Sequence, residues 1–308
     1  MRSALRRLAT ALGLTQRAQS FRGGVRAHRD ARPTDSASNG RAGADPFESL
    51  GGAVGAAARY PISLRYFARG YSYAQQLPAA RTVVPNTAEQ PSDPNLLEAY
   101  FEAHTEGPGI WKWRHYFDIY DRHLARFRGR PVRIVEVGIF GGGSIGMWRE
   151  YFGSNVHIYG VDIDSSCRAL EGEGVEIFIG DQSDPAFWES FLAGSPEIDI
   201  VLDDGGHLAS QQSVTLECLL PAMRPGGVYI CEDIQGGFQP FHAFVDGLTH
   251  PLSAIGFAEN AIAGPVHEHV ASVHRYPLLT VIEKPTAGPR RFESLRHGSD
   301  FPSSKWLS

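Results

Sequence analysis

Four apolar runs between Arg133 and Asp233, each stopping at a short polar cluster, constrain this chain more than any other feature. Arg133-Ile-Val-Glu-Val-Gly138 leads into Gly141-Gly-Gly-Ser144, and His157-Ile-Tyr-Gly-Val161 stops at Asp162-Ile-Asp164. Ile198-Asp-Ile-Val-Leu202 stops at Asp203-Asp-Gly-Gly-His207, and Gly227-Val-Tyr-Ile-Cys231 stops at Glu232-Asp233. Runs of this kind are strands buried on both faces, and helical segments separate them, which is the pattern of a parallel α/β sheet. In such a sheet the ligand crevice lies outside the carboxyl ends of the strands. Glycines, carboxylates and one histidine are therefore expected along a single edge.

The first half of that edge suits a nucleoside without phosphates. Glycines after a first strand let a ligand approach the backbone closely. Their spacing, Gly138-x-x-Gly141-Gly-Gly143, is not the G-x-G-x-x-G of a dinucleotide fold. Glu136 sits inside the end of the first strand, where a carboxylate repels a pyrophosphate and suits an ammonium group. Asp162 ends the second strand, where a Rossmann-type fold places the acid that accepts from ribose hydroxyls. Asp181 and Gln182 end a third strand and are suited to an adenine edge. An amine, a ribose and an adenine without phosphates describe S-adenosylmethionine.

The second half concentrates acid. Asp203 and Asp204 end one strand, and Glu232 and Asp233 end the next. Neighbouring parallel strands lie about 4.8 Å apart, so these carboxylates are expected to crowd. Crowding of that kind calls for a proton or a cation. Oxygen donors without a Cys or His pair favour a hard ion such as Mg²⁺ or Ca²⁺ over Zn²⁺. His207 follows Asp204 by three residues, on the turn into the next helix. It is the candidate general base for a substrate hydroxyl.

Charge is unevenly placed. Residues 1–32 carry eight arginines against one acid, near +7, so a net charge of −5 leaves about −12 on the remainder. An acidic body argues against a nucleic-acid partner and against a basic membrane-binding face. No run of about 18 apolar residues exists, so no membrane span is expected. Cys167, Cys218 and Cys231 lack metal-site spacing, and their sparse, odd count suits a reducing compartment and buried thiols. Leu5, Leu8 and Leu12 share one helical face with Arg2, Arg6 and Arg7 off it. That is the pattern of a transit peptide to mitochondrion or plastid; the alternative is a disordered basic tail on a cytoplasmic protein.

The motifs Lys112-Trp113-Arg-His-Tyr116, Glu136-Val-Gly138, Gly142-Gly-Ser144, Asp162-Ile-Asp164, Gly180-Asp-Gln182, Asp203-Asp-Gly-Gly-His207 and Glu232-Asp233 resemble the class I S-adenosylmethionine-dependent methyltransferases. The nearest likeness is to the metal-dependent sugar O-methyltransferases of macrolide biosynthesis. The resemblance covers roughly residues 111–235 and the strands near 270–283. It implies an α/β, Rossmann-like, mostly parallel seven-stranded sheet with helices on both faces and a terminal antiparallel hairpin. That hairpin is expected from Val270–Arg275 and Leu278–Glu283 about Tyr276-Pro277. It implies transfer of a methyl group to a hydroxyl of a sugar-like or other small-molecule acceptor. By carry-over, Asp204, Glu232 and Asp233 would hold Mg²⁺ and His207 would be the base. Glu136, Gly138, Gly142, Ser144, Asp162, Asp181, Gln182 and Asp203 would hold the cofactor. After Asp233 the chain departs from the family, with Ile234-Gln-Gly-Gly-Phe238 at the acceptor border. The family's oligomerisation region is not recognisable, which leaves a homo-oligomer open.

The expected organisation is a disordered basic segment over 1–50, a helical or irregular extension over 51–110, the methyltransferase domain over 111–284 and a loose tail over 285–308. Two rival readings are an NAD-dependent oxidoreductase, which the glycine spacing and Glu136 oppose, and a binding protein that keeps the fold without catalysis.

Overall fold

The computed structural model describes residues 95–194, 197–235, 240–253, 261–262, 265–287, 291–292 and 297–298, together with 69 and 72–74. The arginine-rich segment and most of the expected extension and tail lie outside the described residues.

A seven-stranded sheet forms the body of the domain. Its strands are β1 (Val132–Val137), β2 (Val156–Asp162), β3 (Val175–Ile179), β4 (Ile198–Asp203), β5 (Met223–Cys231), β6 (Ser272–Tyr276) and β7 (Leu279–Glu283). Their order across the sheet is β3-β2-β1-β4-β5-β7-β6. The pairs among β1 to β5 are parallel, and β7 pairs antiparallel with both β5 and β6. The expected mostly parallel sheet with a closing hairpin is therefore present, with its turn at Pro277-Leu278. The strand order reverses between β1 and β4, which is where an open α/β sheet parts to admit a ligand.

Side-chain alternation splits the core into two layers. Ile134, Ile200, Leu202 and Ile230 face one layer, against helices α1 (Leu96–Ala103), α2 (Tyr116–Leu124) and α3 (Gly143–Phe152). Val135, Val201, Tyr229 and Cys231 face the other, against α4 (Pro185–Gly194), α5 (Ala209–Ala222) and α6 (Pro240–Thr249). Trp148 on α3 and Trp188 on α4 are fully buried anchors of the two layers. Truncating either to Ala removes about 3–5 kcal/mol.

The entry to α2 lies later than the spacing of its apolar residues suggests. Helical spacing from Trp111 to Leu124 predicts one continuous helix, yet α2 begins at Tyr116. Residues 111–113 instead run outside any helix along the acidic edge, and Arg114 and His115 turn into α2. Lys112 and Trp113 reach acids there, and the His115 Nε2 lies 3.0 Å from the Pro277 carbonyl. Charge-assisted bonds at this edge outweigh the loss of one helical turn.

Candidate active site

A cavity of about 630 Å³ opens at the carboxyl ends of β1 to β5, a size that takes a small-molecule ligand. Of the twelve site residues expected from the sequence, Glu136, Gly138, Ser144, Asp162, Asp181, Gln182, Asp204, His207, Glu232 and Asp233 line it. Gly142 and Asp203 do not. Gly142, at φ +77°, forms the turn before α3. Asp203 is buried beneath the floor, where it accepts from Gln182 Nε2 at 2.9 Å and from Tyr229 Oη at 3.0 Å.

At the β1–β3 end, backbone donors hold the acids. Asp162 accepts from Phe140 N through Oδ2 and from Asp164 N through Oδ1, each at 2.9 Å. This ties the loop after β1 to the end of β2. Gly138 lies at φ +84°, and a Cβ there would stand 2.2 Å from the Asp204 carbonyl oxygen. Only glycine permits the two strand ends to approach so closely. Asp181 accepts from Ser183 N at 2.8 Å and Ser183 Oγ at 2.7 Å, and those bonds hold it below the usual carboxylate range. Gln182 spends its amide internally, on Asp203, Thr215 and the Gly206 N–H, so its side chain braces the β4 loop. Glu136 is 1 % exposed, and its Oε2 is buried without a hydrogen-bond partner. Burial pushes its carboxyl above the ordinary range, against the pull of Lys112.

At the β4–β5 end, donors come from far upstream. Lys112 Nζ lies 2.5 Å from Asp204 Oδ2 and 2.9 Å from Glu232 Oε2. Tyr120 donates to Glu232 Oε1 at 2.5 Å. Asp233 Oδ1 accepts from Tyr116 Oη at 2.8 Å and Trp113 Nε1 at 3.1 Å. His207 Nε2 stands 3.8 Å from Asp233 Oδ2. One ligand atom each from Asp204, His207 and Asp233 falls within 4.8 Å of the others. Phe140, His207 and Asp233 all carry positive φ without being glycine, so strained backbone gathers at this cavity.

Burial alone would lower the Lys112 pKa; Glu232, Asp204 and Glu136 together more than offset it and hold the ammonium above the usual lysine range. Burial, and then the neighbouring Asp204 carboxylate, push Glu232 upward as well, against the lowering pull of Lys112 and the Tyr120 hydrogen bond. The donor geometry decides between them: with Lys112 and Tyr120 each donating to one of its oxygens, Glu232 is held as a carboxylate.

Sequence reasoning left Lys112, Tyr116 and Tyr120 without roles at this edge. The two tyrosines were legible only as part of an apolar helix face, and their rings are indeed buried. The available signal was that a buried tyrosine hydroxyl needs a polar partner, and that acids at one strand edge need donors.

No protein-family model matches the chain. It is 33% identical over 201 residues to an 8-demethyl-8-alpha-L-rhamnosyl tetracenomycin-C 2'-O-methyltransferase of Streptomyces olivaceus, covering 58% of this chain and 52% of that protein. It is 30% identical over 248 residues to a demethylmacrocin O-methyltransferase of Streptomyces fradiae, covering 70% of this chain and 61% of that protein. Among solved structures, the MycE methyltransferase of the mycinamycin biosynthetic pathway, in complex with Mg and SAH, matches with a TM-score of 0.51 at 27% identity, over 63% of this chain and 55% of that one. The chain thus spans about half to three-fifths of the length of the relatives it matches.

Proposed function

The chain is related to the class I S-adenosylmethionine-dependent methyltransferases that include macrolide sugar O-methyltransferases, and from that relation we propose that it transfers a methyl group from S-adenosylmethionine to a hydroxyl of a sugar-like or other small acceptor. The observation that carries this reading is one cavity with two chemically different ends. At one end Glu136 offers a buried carboxylate oxygen without a partner, which suits the ammonium group of the methyl donor. Asp162 and Asp181 stand at the ends of the next two strands, where ribose and adenine would lie. At the other end, acids and a histidine converge.

When bound, S-adenosylmethionine supplies an activated methyl group, and a divalent ion lowers the pKa of a hydroxyl beside it. The residues of this chain align the reactants and move the proton. His207 Nε2 takes the proton of the acceptor hydroxyl, and Asp233 at 3.8 Å favours the resulting imidazolium. Asp204, Glu232 and Asp233 are the acids available to hold Mg²⁺. Among the described residues neither Asp204 Oδ1 nor Asp233 Oδ2 takes a hydrogen bond, and Asp233 Oδ2 lies 3.8 Å from His207 Nε2. Trp111, Phe140 and Ile163 line the cavity while 95%, 85% and 72% exposed, and they offer apolar surface beside the reacting groups.

Two measurements test the reading. Calorimetry should show S-adenosylhomocysteine binding and no NAD binding. Label from the methyl group of S-adenosylmethionine should pass to a glycosylated small molecule in a metabolite extract. Absence of both rejects it. For the arginine-rich N-terminal residues the proposal is import into mitochondrion or plastid, and a fluorescent fusion of residues 1–45 that stays in the cytosol rejects that.

A further inference from the structure

Away from the cavity, the closing hairpin carries a polar group that the methyl-transfer reading does not use. β6 and β7 pair with Ser272 opposite Glu283, His274 opposite Val281 and Tyr276 opposite Leu279. Strand alternation puts these six side chains on one face, and Leu279 and Val281 bury it in the core layer that contains α2. The last turn of α2 brings His123 against the polar end of that face. Thr280 pairs with Cys231 and Glu283 with Val228, so Glu283 lies three residues back from the cavity edge, roughly 10 Å along β5. His123, His274 and Glu283 do not line the cavity.

One ligand atom from each of these three residues lies within 4.8 Å of the others. His123 Nδ1 stands 3.0 Å from Glu283 Oε1, and His274 Nε2 stands 3.9 Å from Glu283 Oε2. The two imidazole rings pack with centroids 4.7 Å apart. Outer partners hold each group in place. His123 Nε2 is 2.9 Å from Tyr276 Oη, and Ser272 Oγ reaches His274 Nε2 at 3.0 Å and Glu283 Oε2 at 3.2 Å. His123 is buried, whereas His274 and Glu283 are partly exposed, so the group is anchored inside and open to solvent on one side. Burial lowers the His123 pKa, which keeps its ring neutral at neutral pH. Burial would raise Glu283, but the bonds from His123 and Arg126 more than offset it and hold the carboxyl below its ordinary range. Arg126 brings a rival positive charge 3.2 Å from Glu283 Oε1; its guanidinium is nearly half exposed, so solvent screens it. Two adjacent imidazoles repel when both are protonated, and a shared metal ion in place of their protons removes that cost.

We propose that His123, His274 and Glu283 form a second metal site, separate from the cavity, for a d-block divalent ion of the Zn²⁺ kind. Two imidazoles and one carboxylate are donors that Zn²⁺ takes, and three protein ligands leave a fourth position for Ser272 Oγ or water. On binding, His123 presents Nδ1 and carries its proton on Nε2, where Tyr276 Oη accepts it. His274 presents Nε2 and carries its proton on Nδ1. Both rings start neutral, so each only changes tautomer and no proton leaves the protein. The ion ties the end of α2 to the closing hairpin.

Zn²⁺ binding to the full chain, measured by calorimetry with Mn²⁺ in excess, tests this without reference to turnover. Mn²⁺ suits the carboxylates of the cavity edge and yields imidazole donors to Zn²⁺. One Zn²⁺ should bind per chain. His274→Gln should raise its dissociation constant by at least about tenfold, because losing even an outer partner of a ligand costs about 10–100-fold. Zn²⁺ should raise the thermal midpoint of wild type and not that of His274→Gln. His207→Ala, at the cavity edge, should leave Zn²⁺ affinity unchanged. Co²⁺ in place of Zn²⁺ should give visible ligand-field bands without a thiolate charge-transfer band. His123→Gln should match His274→Gln; if the loss of the buried ring prevents folding, the more exposed His274 decides. Absence of Zn²⁺ binding in wild type overturns the proposal, as does wild-type affinity in folded His274→Gln. A thiolate band would place the ion on a cysteine, and loss of Zn²⁺ in His207→Ala would place it at the cavity edge; either result overturns the proposal as well.

Discussion

At the β1–β3 end of the cavity Asp162 and Asp181 take their donors from nearby turns: Asp162 from Asp164 N and from Phe140 N in the loop after β1, Asp181 from Ser183. At the β4–β5 end no acid is satisfied that way. Glu232 is held by Lys112 and Tyr120, and Asp233 by Trp113 and Tyr116, all more than a hundred residues earlier in the chain. The first end can form as soon as two neighbouring strands pair. The second exists only once the segment entering α2 has docked across the sheet. The contrast separates acids held by locally built turns from acids held by long-range contacts.

The largest effect that would test this division is at His207. His207→Ala should lower kcat by about 10²–10⁴-fold while S-adenosylhomocysteine affinity, measured by calorimetry, stays unchanged. A comparable loss of affinity would mean that the two ends do not act separately.

Next comes Asp203, which bridges them from beneath through Gln182 on one side and Tyr229 on the other. Burial lifts its pKa from the ordinary 3.8 to about 6, against the donors Gln182 and Tyr229. Below about pH 4 the group is protonated whether the chain is folded or not, and it affects stability little. Between pH 4 and 6 the unfolded chain loses the proton while the folded one keeps it, so stability falls as pH rises. The full loss is about 3 kcal/mol, at roughly 1.4 kcal/mol per pH decade. Denaturant unfolding at pH 4 and pH 7 should show that decline in wild type and not in Asp203→Asn. An identical decline in both would remove Asp203 as its source.

Asp162→Ala should weaken S-adenosylhomocysteine by roughly 1.5–3 kcal/mol, since charge-assisted bonds to ribose and the anchor of the Phe140 loop are both lost. Mn²⁺ affinity should not change, and a matching drop would show that the first end supports the second.

The smallest effect belongs to Trp113→Phe. Its indole is 51 % exposed and shares Asp233 Oδ1 with Tyr116, so the thermal stability lost should correspond to less than about 1 kcal/mol. A loss as large as that of Tyr116→Phe would show that this exposed bond matters as much as the buried one.

The strand edges were legible because their signals are local. Gly138, Asp162 and Asp181 stand where a buried run stops, and the two-residue period of strands assigns those stops before any contact is known. Grouping Asp203 with Asp204, Glu232 and Asp233 went too far for a related reason. Adjacent residues at a strand end point to opposite sides, so Asp203 turns under the sheet to Tyr229 while Asp204 meets Lys112. Gln182 likewise carries its amide into the interior, which no spacing rule distinguishes from an amide facing a ligand.

By itself the sequence determined a parallel sheet with an acidic, glycine-bearing carboxyl edge, because burial period and turn chemistry act over a few residues. Which acids are paired, which keep an oxygen open and where the ammonium sits were decided only by the tertiary structure. The reason is that Lys112, Tyr116 and Tyr120 enter the site through the docking of a distant segment, and the charge state of a buried carboxylate depends on whatever surrounds it in space.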